Sequence, residues 1–110
     1  METALLGLEL SEVLNKLKEM LLRQGFTVQT MMTGNPVIVA YREGGWFRKP
    51  KQLVLEISSL QNNVTRIDIT AIITNKKKKE DFQAEEVVAE DFATAIYHNF
   101  KTLVHAHGIR

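Results

Sequence analysis

Two short stretches hold the residue types best suited to chemistry. One is Gly44-Gly45-Trp46-Phe47-Arg48-Lys49-Pro50-Lys51, and the other is Lys76-Lys77-Lys78-Lys79. Ammonium and guanidinium groups attract phosphates and carboxylates, and an aromatic ring among them can stack on a base or enter a lipid headgroup layer. Trp46, Phe47, Arg48, Lys49, Lys51, Lys76, Lys77, Lys78 and Lys79 are therefore the candidate partner-binding residues. A plainer reading competes with this one. Lysine runs are commonly solvated loop residues, Glu80, Asp81, Glu85 and Glu86 stand beside this run, and Trp46 and Phe47 can fold back over the core edge.

The remaining constellations carry less. His98 and His105 lie two helical turns apart, about 10.5 Å along a helix axis, which is too far to share a metal. His105 and His107 point to nearly opposite sides of a helix. The i, i+4 spacing that places two imidazoles on one face is absent. Glu56 and Asp68 are expected to face each other on the polar side of a sheet, with Arg66 on the diagonal. On an open face that is a solvated charge cluster rather than an acid–base pair. Gly44-Gly45 has no phosphate-loop context, and Ser11, Ser58 and Ser59 have no nucleophile-elbow setting. With no cysteine in the chain, thiolate catalysis and Cys-ligated metals are excluded. No catalytic constellation, metal site or cofactor is read, and the expectation is a non-enzymatic binding domain.

The elements that must position these residues follow from periodicity. From Val64 to Thr74, Ile67, Ile69, Ala71 and Ile73 alternate with Arg66, Asp68, Thr70 and Thr74, the pattern of a strand with one buried face. Residues 52–60 form its partner, with Leu53, Leu55 and Ile57 on one side. A three-residue loop at 61–63 sets Leu60 against Val64, Ile57 against Ile67, Leu55 against Ile69 and Leu53 against Ala71. A loop one residue shorter would expose the whole apolar set. Asn63 suits a left-handed position there. Residues 26–33 and 37–43 form a second hairpin around Gly34-Asn35. Its expected register places Met32 opposite Val37, Thr30 opposite Val39 and Val28 opposite Tyr41, with Met31, Ile38, Ala40 and Arg42 on the other face. Asn35 precedes a proline, which strains a plain two-residue turn.

Helical spacing of Val13, Leu14, Leu17, Met20 and Leu21 predicts a helix over 12–24, with Ser11 as N-cap and Gly25-Phe26 closing its C-terminus. Val88, Phe92, Ile96, Phe100 and Leu103 predict a second over 82–107, capped near Asp81 and ended by Gly108. At about 25 residues it would span about 38 Å and overhang a nine-residue strand of about 30 Å. Residues 1–10 fit either a short extended segment or a helix start.

The expected fold class is α+β, in one domain spanning 1–110: a four-stranded antiparallel meander with an N-terminal and a long C-terminal helix packed on one face. Connections in a meander alternate between sheet ends. The loop holding Trp46 to Lys51, the exit of the last strand at Lys76 to Lys79 and the end of the first helix at Arg23 therefore share one pole. That gathers eight of the fourteen basic residues, although net charge is only +1. The order resembles the helix-grip type of small α-β-β-β-β-α domain found in bacterial proteins of unknown function. The resemblance lies in residues 22–28 and 65–69 and implies no functional residue. Type III secretion chaperones also combine terminal helices with a small sheet, but they are usually acidic.

The partners expected are an anionic lipid surface or nucleic acid at the basic pole. The alternatives are a homodimer through the open sheet face, with its apolar scatter of Met31, Ile38, Val54 and Ile72, or through an open edge strand, or an apolar ligand held between helix and sheet near Met20, Met32 and Phe92. The start of the chain has no basic n-region, and no apolar run approaches the roughly 20 residues of a membrane span. The expected location is cytoplasmic, with membrane-peripheral attachment as its variant.

Overall fold

The alternating run from Val64 to Ile73 forms the strand it predicts, and the other elements are laid against it. The computed structural model describes residues 1–32, 34–44, 50–73 and 82–100. Its elements are β1 (Glu2–Leu6), α1 (Leu10–Arg23), β2 (Thr27–Met31), β3 (Val37–Arg42), β4 (Lys51–Leu60), β5 (Val64–Ile73) and α2 (Phe82–Asn99). The sheet order is β1-β5-β4-β3-β2, antiparallel throughout.

The central hairpin has the expected register, with Ile57 opposite Ile67, Leu55 opposite Ile69 and Leu53 opposite Ala71. All six are buried. The loop from Gln61 to Asn63 turns the chain with two left-handed residues, Asn62 at φ 62° and Asn63 at φ 57°. Asparagine tolerates that conformation better than most residues, so the loop length needed by the apolar pairing is locally accessible.

Among the described residues the sheet has five strands, not four. The fifth is β1, drawn from the stretch that fits either strand or helix. It pairs with the side of β5 that β4 leaves open, placing Ala4 opposite Ile67 and Leu6 opposite Thr65. Ala4 and Leu6 enter the core, while Thr3 is exposed on the other face. A row of unpaired backbone groups on β5 decides the conformation here, because local pattern does not. The Thr65 hydroxyl then donates to the Leu8 carbonyl at 2.7 Å and fixes the link from β1 to α1. Helix α1 consequently starts at Leu10 with Glu9 as its N-cap, and Ser11 makes no side-chain cap bond.

The β2–β3 register is shifted by one residue from expectation. Met31 faces Val37, Thr30 faces Ile38, Val28 faces Ala40 and Thr27 faces Tyr41. Because side chains alternate with period two, the shift turns β3 over. Ile38 and Ala40 are fully buried, while Val37, Val39 and Tyr41 lie on the outer face, so Ile38 does not belong to the outer scatter. The cause is the connection. Gly34 takes a left-handed φ of 85°, and the Pro36 carbonyl accepts from the Ile57 amide at 2.9 Å. Pro36 is thus already held against β4, and the turn is one residue wider than Gly34-Asn35.

Helix α1 buries its expected stripe of Val13, Leu14, Leu17, Met20 and Leu21. It ends as its sequence predicts: the Phe26 amide bonds the Leu21 carbonyl, the Gly25 amide bonds the Leu22 carbonyl, and Gly25 is left-handed at φ 88°. Helix α2 buries Ala89, Phe92, Ala93 and Ile96, followed by Phe100. Its 18 described residues span about 27 Å, and the rest of the expected overhang falls outside the described residues. Leu103, Val104, Gly108 and the cap at Asp81 lie outside the described residues.

Both helices cover the same face, α2 over β5 and β1, and α1 over β2, β4 and β5. Side-chain bonds fasten α2. The Glu85 carboxylate accepts from the Ile73 amide at 2.9 Å, and the Tyr97 hydroxyl accepts from the Leu5 amide at 3.3 Å. The Met1 ammonium donates to Glu86 at 2.6 Å, and that bond holds the amine above its ordinary pKa.

Candidate functional site

Strand register sets the geometry of the expected basic pole. Arg42, the last residue of β3, faces Lys51, the first of β4, and Lys51 faces Ile73, the last of β5. These three strand ends therefore lie at one end of the sheet. The end of α1 joins them, because the Arg42 Nη1 donates to the Gln24 carbonyl at 3.3 Å. Arg23, exposed in the last turn of α1, adds a charge there. The alternation of loop ends expected of a meander is thus met by the described strands.

Of the candidate residues, Lys51 is described. It is half-buried and turned to the helix-covered face. Trp46, Phe47, Arg48, Lys49, Lys76, Lys77, Lys78 and Lys79 lie outside the described residues. Chain continuity ties the first four to the paired residues Arg42 and Lys51, and the four lysines to Ile73.

Between this end of the sheet and α2 is a cleft of about 190 Å³. Its apolar lining comes from Phe26, Leu53, Val88 and Phe92, and its polar lining from Gln24, Arg42, Lys51 and Asp91. The Arg42 guanidinium stands 5.0 Å from the centre of the Phe26 ring, within cation–π range. Ligand pockets commonly run from about 300 to 1,000 Å³, whereas about 150 Å³ is enough for benzene. The cleft accordingly fits one ring or a short alkyl group. Phe92 lines it, but Met20 is core and Met32 is exposed, so the three residues named for an apolar ligand do not converge.

Arg42 and Phe26 are members of this site that sequence reasoning missed. In the expected register Arg42 belonged to the outer face. The signal was the run Ile38, Ala40, Arg42, in which a cation ends an apolar alternation.

The other constellations have local roles. Asp68 faces Glu56 across the strands, and its Oδ1 accepts from Thr3 Oγ1 at 2.7 Å and Arg66 Nε at 3.0 Å. It is a hydrogen-bonded cross-strand cluster on the outer face, opposite the helices. His98 is exposed near the end of α2, and His105 and His107 lie outside the described residues. Among the described residues, no three His, Cys, Asp or Glu side chains gather at metal-binding distance. Among them too, no helix is long and apolar enough to cross a membrane.

No family model, no curated protein and no solved structure matches the chain.

Proposed function

We propose that this is a non-enzymatic binding domain whose basic end engages an anionic, phosphate-bearing partner. The observation that supports it most is the register row Arg42–Lys51–Ile73 beside the end of α1. It roots both basic stretches and Arg23 at one place. Arg48, Lys49, Lys51 and Lys76 to Lys79 supply the attraction, and Trp46 and Phe47 insert or stack. The helix-grip resemblance and a cytoplasmic or membrane-peripheral setting are parts of the same proposal. The small cleft favours a partner that presents a headgroup or a base over a lipid carried whole.

The test compares the wild type with a variant in which Lys76, Lys77, Lys78 and Lys79 are all Ser. Binding to phosphatidylserine vesicles and to single-stranded DNA is measured as the Debye length falls from about 10 Å at 0.1 M salt to about 3 Å at 1 M. On vesicles each basic residue near the surface contributes about 1 kcal/mol, so the variant binds far more weakly at low salt, and both lose binding at high salt. The arm that binds names the partner. Equal binding by the two proteins, or none by either, overturns the proposal.

A further inference from the structure

The two edges of the sheet are treated differently. At β1, the Leu5 amide is bonded by the Tyr97 hydroxyl, and α2 packs over the strand. At β2, among the described residues, β3 alone supplies strand partners. Edge strands are normally guarded by lysine, proline, a bulge or a covering element, because their free N–H and C=O groups accept another strand. The β2 sequence, Thr27-Val28-Gln29-Thr30-Met31, has neither charge nor proline, and its five consecutive pairs with β3 leave no room for a bulge. Met31, its last residue, and Met32, the next, are 44% and 64% exposed.

We propose that β2 pairs antiparallel with β2 of a second copy of this chain, about a two-fold axis through Gln29, joining two five-stranded sheets into one. The strand is self-complementary under that axis. Val28 meets Thr30 of the other copy on the helix-covered face, and Thr27 meets Met31 on the outer face. The two Gln29 side chains face each other, where amides can exchange hydrogen bonds. Whichever alternate residues turn their backbone groups away from β3, the axis brings those same residues together. A one-residue slip would set inner side chains against outer ones. Charge points the same way. The basic end lies beside the start of β2, since Thr27 faces Tyr41, the neighbour of Arg42. Antiparallel pairing sends the two basic ends to opposite ends of the assembly, whereas parallel pairing would stack them. The seam is about 17 Å long, so the dimer is weak and concentration-dependent. The inference is independent of the anionic-partner proposal.

Two variants test it. Gln29→Lys sets two ammonium groups against each other on the axis at an exposed position that leaves the fold unstrained. Light scattering from micromolar to millimolar concentration is expected to show wild-type mass rising from 12.5 kDa towards twice that, with the variant monomeric and its melting temperature unchanged. Gln29→Cys gives the cysteine-free chain a single thiol. Directly opposed residues in an antiparallel pair sit about 4.5–5.5 Å apart at Cα, within disulfide reach. Under mild oxidation it crosslinks at least ten times faster than Thr70→Cys, an exposed control on β5. A wild type that stays monomeric to millimolar, a Gln29→Lys variant that dimerises like wild type, or equal crosslinking rates would each overturn the proposal.

Discussion

Ile69 shows how much one position can specify. It is fully buried, faces Leu55 on one side and Glu2 on the other, and lies beneath the helices. Ile69→Ala removes buried surface that a sheet held from both sides cannot collapse to refill. Denaturant unfolding is expected to show a loss of about 2–5 kcal/mol, and a loss under about 1 kcal/mol would contradict the burial. This position was legible in the sequence because alternation over ten residues admits one buried face. Arg42 was not. Its placement depends on a register set five residues away, and a wrong register hides a cation that stands against Phe26 and bonds Gln24. Residue types announce chemistry, but only pairing decides which of them meet.

At the scale of elements, what was legible was whatever carries its own signal. Helix α1 and its Gly25-Phe26 cap, the β4–β5 hairpin and the existence of α2 each rest on local periodicity or turn chemistry. Strand β1 and the facing of β3 do not. The first was decided by the vacant side of β5, and the second by Pro36 held against Ile57. Adjacent residues on β3 test the facing directly. Ile38→Ala, in the core, should cost about 2–5 kcal/mol, while Val39→Thr, on the outer face, should change stability by about 0.5 kcal/mol or less. Equal losses in thermal or denaturant unfolding would restore the unshifted register.

Among the described residues the molecule is lopsided in two respects: the helices cover one sheet face and leave the other open, and one edge is guarded and the other is not. Stability should be distributed in the same way. Strands β3, β4 and β5 have neighbours on both sides, and β4 and β5 form the long central hairpin. Among the described residues, strand β1 has one strand neighbour but is held by Tyr97 and α2, while β2 is five residues long with an open side. Local opening needs less free energy where fewer contacts must break. Amide hydrogen exchange in dilute solution should therefore be slowest in β4 and β5, faster in β1 and fastest at the β2 amides that point away from β3. Concentration then separates a frayed edge from an adhesive one. If β2 pairs with a second copy, those same amides gain protection as the protein is concentrated, because a pairing equilibrium stabilises by mass action while intrachain opening does not depend on concentration. Gln29→Lys should abolish the gain and leave β4 and β5 as they were. Protection of β2 that matches β5 in dilute solution would mean that the edge is already covered within one chain.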